Sequence, residues 1–222
     1  TILSHVKMNG KCWDCGTGTG QVAYVLAHHF DHVVATDISQ NQLENALQKD
    51  NINYTRTRSE ATGFKPNTFD LITVGQAMHW FDFDAFYREV KRIGKSDGII
   101  AIWGYGLLSA QYEVNELIRK FYSEKIGPYW NKERKHIDNQ YSSIPFNFDS
   151  IKVNQGFKIS TSWSLDNLEG YLNTWSAVKR YVKQNNENPI PQLINQIKPY
   201  WAKEESHRIE FPLFIKIGRI GI

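Results

Sequence analysis

The chain has 222 residues, 41% hydrophobic and 22% charged, a composition ordinary for a soluble globular protein and enough to bury one sizeable core. Its net charge of +3 comes without a Lys/Arg block, which excludes the usual nucleic-acid footprint. No apolar run reaches membrane length and no signal peptide opens the chain, which points to the cytoplasm.

Residues 1–8 read as the tail of a helix, with Ile2, Leu3 and Val6 on one side. Lys11–Cys15 reads as a short buried strand, and Val22, Val25, Leu26 and Phe30 follow at helical spacing. A second strand, 32–36, ends in Asp37. Ser39 and Gln42 form a capping box for a helix carrying Leu43, Ala46 and Leu47. Third and fourth strands are expected at 52–56 and 69–74. Asp82 and Asp84 precede an amphipathic helix over 86–93, and Ser96-Asp97-Gly98 turns into a fifth strand, 99–103. This alternation is that of a parallel sheet covered on both faces. The second half differs. A helix over 112–126 ends at Gly127-Pro128, and 129–150 reads as a folded-over loop with a short helix. Phe157–Trp163 alternates like a sixth strand. Helices fill 165–201, broken near Pro189 and Pro191. A last strand covers 210–217, where Pro212 points to an edge or strand-start position.

The chemistry concentrates in Trp13-Asp14-Cys15-Gly16-Thr17-Gly18-Thr19-Gly20-Gln21. Glycines between a strand and a helix allow positive φ and close approach of a ligand to the backbone. A dinucleotide site needs G-x-G-x-x-G, but the sixth position is Gln21, and no P-loop lysine follows. Asp37 lies about twenty residues on, where a carboxylate accepts from two ribose hydroxyls. A ribose ligand without pyrophosphate fits, and S-adenosylmethionine is the common one. Cys12 and Cys15 form a C-x-x-C pair. Without a second pair or a helix N-terminus beneath them, they read as buried strand residues and not as a metal or redox site.

Asp14-Cys-Gly16-Thr-Gly18-Thr-Gly20 resembles the acidic residue plus G-x-G-x-G of class I S-adenosylmethionine-dependent methyltransferases. Gln76-Ala-Met-His79-Trp80-Phe, Trp175-Ser-Ala-Val-Lys-Arg180-Tyr181 and Phe211-Pro-Leu-Phe resemble the trans-aconitate methyltransferase-like family in particular. The resemblance covers nearly the whole chain. It implies a Rossmann-like, doubly wound, mainly parallel seven-stranded α/β sheet whose antiparallel last strand inserts beside the fifth. It implies one domain, with a core of 1–106, 151–164 and 207–222 and a helical lid of 107–150 and 165–206. Relatives of this type carry a further stretch before the first strand, partly over the cofactor, so a truncated or partly ordered N-terminus is expected.

The implied cofactor is S-adenosyl-L-methionine, with no metal. Its site is drawn from Asp14, Gly16, Thr17, Gly18 and Gln21 at the first turn and Asp37 and Ile38 at the ribose and adenine. Ser59 and Glu60 stand where many relatives place an adenine-binding Asp, and Gln76 and Ala77 should lie near the transferable methyl. His79 and Trp80 are the candidate catalytic pair. His79 has two open readings, orienting or deprotonating the acceptor, or anchoring its own loop. Tyr105, Trp130, Arg134, Trp175, Arg180 and Tyr181 are candidate acceptor-binding residues; Lys135 reads as solvated. The expected partner is a small-molecule carboxylate that is O-methylated, with no nucleic acid or membrane, in a monomer or homodimer. Two alternatives stay open: C- or N-methylation of an aromatic or quinone-type metabolite, and S-adenosylmethionine binding without turnover.

Overall fold

The first strand, β1 (Lys11–Cys15), is buried along all but its first residue. Our computed structural model describes residues 1–201 and 205–221. Before β1 the chain makes a single 3-10 turn, Leu3–His5, in place of the expected helix tail. Ile2, Leu3 and Val6 pack half-buried on the core from this turn. After β1 come α1 (Gln21–Leu26), β2 (His32–Asp37), α2 (Gln40–Glu44), β3 (Ile52–Arg56), β4 (Phe69–Gly75), α3 (Phe83–Ile93) and β5 (Gly94–Tyr105). The Ser39 and Asp82 side chains cap α2 and α3, accepting from Gln42 N and Ala85 N. On α1 the buried face is Ala23 and Leu26; Val25 points outward, against the expected pattern. β5 starts five residues before Ile99, because its register against β4 shifts between Phe69 and Leu71.

The second half forms α4 (Tyr112–Lys120), a π-helical turn Phe121–Lys125 and α5 (Arg134–Asp138). Then follow β6 (Asp149–Ile151), β7 (Phe157–Trp163), α6 (Leu165–Thr174), α7 (Ser176–Asn185), α8 (Ile190–Trp201) and β8 (His207–Arg219). Pro191 lies in the first turn of α8, where its missing N–H has no helical role.

The sheet has eight strands, not seven, because β6 adds a short strand that its three residues did not announce. The order is β3-β2-β1-β4-β5-β8-β6, with β7 also paired to β8. β1 pairs parallel with β2 and β4, and β4 with β5; β6 and β7 pair antiparallel with β8. Pro212 is neither at an edge nor at a strand start. It lies inside β8 opposite Lys158 of β7, and its carbonyl accepts from Gly106 N at 2.9 Å. A residue without an N–H is tolerated there because it bonds through its oxygen.

Two compact units divide the chain. The first is Thr1–Gly104, Asn139–Gln155 and Phe214–Ile222; the second is Tyr105–Asp138 and Gly156–Leu213. These boundaries differ from the expected core and lid, since 139–150 groups with the first unit and β7 with the second. The first unit is centred on β1 and β4, whose near-continuous burial suits parallel strands covered on both faces. Trp13 is fully buried there and its Nε1 donates to Thr36 Oγ1 at 2.9 Å. Cys12 and Cys15 are free thiols, at 0% and 1% exposure, and burial pushes both thiols up. The second unit has its own core of Val114, Ile118, Leu168, Leu172, Ile190 and Ile197. Among the described residues no helix is long and apolar enough to cross a membrane.

Candidate functional site

A cavity of about 370 Å³ opens in the first unit at the C-terminal ends of β1, β2, β3 and β4. The position follows from topology. β2 and β4 leave β1 in opposite directions across the sheet, and the crevice at that switch point is where α/β sheets bind ligands. The volume suits a small molecule.

The turn from β1 into α1 forms its floor. Gly16, Gly18 and Gly20 take φ of 67°, 58° and 81°, a region L side chains avoid. Gly16 borders the cavity, and a Cβ there would lie 2.6 Å from Ala77 Cβ. At Gly20 a Cβ would collide with the Tyr54 hydroxyl. The third glycine is therefore required by contact with β3 as well as by its φ.

Asp37 ends β2 and borders the cavity. Its Oδ2 accepts from Gly18 N at 3.0 Å and its Oδ1 from Ser39 N at 2.9 Å. Two backbone donors thus fix the carboxylate plane. Each oxygen keeps acceptor capacity for a further hydroxyl, which is what a ribose diol presents. Ile38, 67% exposed, supplies an apolar wall beside it.

Asp14 does not face the ligand space. It is 1% exposed and accepts from Thr17 Oγ1 at 2.5 Å and Thr73 Oγ1 at 2.8 Å. Burial pushes its carboxyl up to about 6, against the lowering pull of those hydroxyls. Its observed place is beneath the glycine turn, tying Thr17 to β4. Thr17 turns inward with it, and its N–H donates to Thr36 O at 2.9 Å. Gln21 is exposed at the start of α1, and Gly18 touches the site through its bond to Asp37; neither forms a wall.

The loop after β3 closes another side. Ser59 and Glu60 border the cavity, joined by Thr57 and Arg58, which sequence reasoning missed. Glu60 Oε1 accepts from Asp82 N at 3.2 Å, and its Oε2 lies 3.6 Å from Arg58 Nε. Behind this loop Glu89 accepts from Thr62 N at 2.9 Å and binds Arg92 through both oxygens, at 2.7 and 2.8 Å. The Arg92 pair is the main reason the Glu89 carboxyl falls to about 2.

The segment after β4 supplies Ala77, Trp80 and Phe81. Gln76 takes φ of 55° and donates its N–H to Trp103 O at 2.8 Å, but is not a wall. His79 is 6% exposed, and its Nδ1 lies 3.0 Å from the Tyr141 hydroxyl. Of its two readings, that contact supports anchoring of the loop. Cys15, Thr36 and Phe81 also border the cavity without having been singled out; their adjacency to Gly16, Asp37 and Trp80 is the signal that would have found them.

In the second unit four of the six acceptor candidates meet in one ring cluster. The Arg134 guanidinium lies 4.7 Å from the Trp130 ring and 5.4 Å from the Tyr122 ring, and its Nε donates to the Tyr122 hydroxyl at 2.7 Å. Trp175 packs edge-on against Tyr122 and Tyr171. Tyr105 meets Phe211, which meets Tyr171. Arg180 and Tyr181 are elsewhere. Arg180 is exposed and donates to Tyr129 O at 3.1 Å, while Tyr181 is buried against the Tyr129 ring. Five helical positions separate Trp175 from Arg180, which turns them to different faces. Lys135 and His136 stand beside Arg134 on α5, and burial lowers the His136 pKa. Among the described residues no group of three or more His, Cys, Asp or Glu could hold a metal ion.

Comparison with known proteins places this geometry. A family model described as a methyltransferase domain matches residues 13–102, from β1 into β5. A Dictyostelium discoideum protein described as a methyltransferase is 32% identical over 213 residues, spanning 93% of this chain and 81% of its own. A Saccharomyces cerevisiae protein described as an S-adenosylmethionine-dependent methyltransferase is 22% identical over 246 residues, spanning 93% and 84%. A solved structure described as a type II methyltransferase from Anaeromyxobacter dehalogenans superposes with a TM-score of 0.90 at 31% identity, covering 98% of this chain and 93% of that one.

Proposed function

This chain belongs to the S-adenosylmethionine-dependent methyltransferases, and from that premise we propose that it esterifies a carboxylate of a small organic acid, as trans-aconitate-like enzymes do. The residues of the first unit fit the cofactor. The Asp37 carboxylate, already oriented by two N–H groups, accepts the ribose hydroxyls. Gly16 lets the ligand lie against backbone, and Ile38, Trp80 and Phe81 give apolar walls that exclude water from the rest of it. When bound, the cofactor supplies a methyl group activated by its sulfonium charge.

A carboxylate acceptor is ionised at neutral pH, so no side chain has to take a proton from it. That agrees with a His79 ring engaged by Tyr141. The observation that carries the organic-acid reading is Arg134. Two rings, the Tyr122 hydroxyl and the Asp138 carboxylate, 3.6 Å from Nε, fix its guanidinium in place, and a fixed guanidinium is what pairing with a non-reacting carboxylate calls for. The same cluster of Tyr122, Trp130, Tyr171 and Trp175 favours a second reading, C- or N-methylation of an aromatic metabolite.

The test is transfer of labelled methyl from S-adenosylmethionine to two panels, small di- and tricarboxylates on one side, phenols and quinone precursors on the other. An ester releases its label in mild alkali; a C- or N-methyl group does not. Alkali-labile product on the carboxylate panel, reduced by Arg134→Gln through a raised KM, is the expected result. Alkali-stable product on the aromatic panel would overturn it.

A further inference from the structure

His79 and Trp80 follow β4 in one 3-10 turn, Met78–Trp80. Trp80 borders the cofactor cavity; His79 does not, and its ring packs 4.7 Å from the Trp80 ring. One group that meets His79 comes from 62 residues away: the Tyr141 hydroxyl, 3.0 Å from Nδ1. We propose that Tyr141 is a positioning residue for methyl transfer, holding the His79 ring in one tautomer and orientation and, through it, Trp80 against the cofactor. The proposal rests on the cofactor seat described above.

Three observations support it. The first is the contact itself, a buried pair at 3.0 Å between the Tyr141 hydroxyl and His79 Nδ1. A hydroxyl that donates to Nδ1 leaves the ring proton on Nε2, the tautomer this proposal assigns to His79. The second is backbone conformation. Tyr141 takes φ of 56° directly after Gln140 at 52°. An aromatic residue in the left-handed region is disfavoured and persists where its surroundings over-determine it. The third is that the segment has holds besides this hydroxyl. Tyr87 Oη donates to Pro145 O at 2.6 Å, Lys216 Nζ donates to Ile144 O at 2.9 Å, and the Tyr141 ring packs edge-on to Phe214 at 4.9 Å. The segment is thus braced at its backbone and ring, so Tyr141→Phe keeps those holds.

Tyr141→Phe keeps the ring and its packing and removes the bond. Two readouts apply: the ¹⁵N shifts of the His79 ring, and the Kd for S-adenosylhomocysteine by calorimetry. In the unchanged protein the ring should be a single Nε2–H tautomer. In Tyr141→Phe the shifts should move toward a mixture of tautomers and the Kd should rise about fivefold, the size of one hydrogen bond lost. His79→Gln removes the other partner, and Tyr141→Phe added to it should change the Kd no further. Unchanged shifts, an unchanged Kd, or full additivity of the two substitutions overturns the proposal. Failure of S-adenosylhomocysteine to bind the unchanged protein would sink the cofactor seat and the proposal together; binding that ignores Tyr141→Phe sinks the proposal alone.

Discussion

Two aspartates one strand apart carry opposite duties. Asp37 presents to the cavity a carboxylate bonded by Gly18 and Ser39. Asp37→Asn would turn an amide nitrogen toward one of those N–H donors and halve the acceptor capacity left for a sugar. A charged hydrogen bond contributes about 1.5–3 kcal/mol, so the affinity for S-adenosylhomocysteine should fall roughly tenfold or more with an unchanged circular dichroism spectrum. An unchanged Kd would remove Asp37 from the ribose. Asp14 is the buried one, with its carboxyl raised from 3.8 to about 6. Below pH 3.8 both folded and unfolded chains hold the proton. Between 3.8 and about 6 the unfolded chain releases it while the folded protein keeps it, so stability falls as pH rises. Above 6 the loss is complete, about 3 kcal/mol for a shift of this size. Asp14→Asn should flatten that part of the curve, read as denaturant midpoints between pH 4 and 7. Parallel curves for the two proteins would contradict the raised value.

At the level of elements, the loop from β3 to β4 is the least regular wall of the cavity and the most actively held. Glu89 on α3 bonds Thr62, and Arg92 bonds both Glu89 and Phe64 O at 2.7 Å. The bracket acts while Glu89 is ionised. Its carboxyl is lowered from 4.5 to about 2, so its contribution is full above pH 4.5 and lost as pH falls through about 2. Glu89→Ala should speed hydrogen exchange of 57–64 and weaken S-adenosylhomocysteine binding several-fold, while β1 and β4 keep their protection. Protection of 57–64 that does not change would show that the loop stands without the bracket.

Much of this architecture was legible because it is local. The Ser39 and Asp82 caps, β3 and the glycine turn rest on residues a few positions apart. What could not be read depends on direction or on distant partners. The motif containing Asp14 is the same string whether its carboxylate faces a ligand or, as here, two threonine hydroxyls. β6 has three residues, too few for alternation to show. Arg180 looked poised among aromatics in the sequence, but its helix turns it to the Tyr129 carbonyl. Tyr141, which meets His79, lies in a stretch without helix or strand, and no spacing rule joins positions 79 and 141.

For the molecule as a whole, the candidate residues divide between the two units. The first contains the glycine turn, Asp37 and the cavity; the second contains Arg134 within its ring cluster. The chain passes from one unit to the other four times, between 104 and 105, 138 and 139, 155 and 156, and 213 and 214. Ligand-dependent change should therefore register in the first unit at Cys15, Thr36, Asp37 and Ser59, residues that share a wall while lying far apart in the chain. The two buried thiols of β1 convert this into a clock. Cys12 cannot meet an alkylating reagent until the centre of the sheet opens, whereas Cys15, 1% exposed, borders the cofactor cavity. Under native conditions the rate at which an iodoacetamide-type probe consumes Cys12 counts openings of the sheet, and the rate at Cys15 adds access through the cavity, without dye or engineered label. Saturating S-adenosylhomocysteine should slow the count at Cys15, and equal rates with and without it would mean that the sheet's breathing and the occupancy of its crevice are independent events.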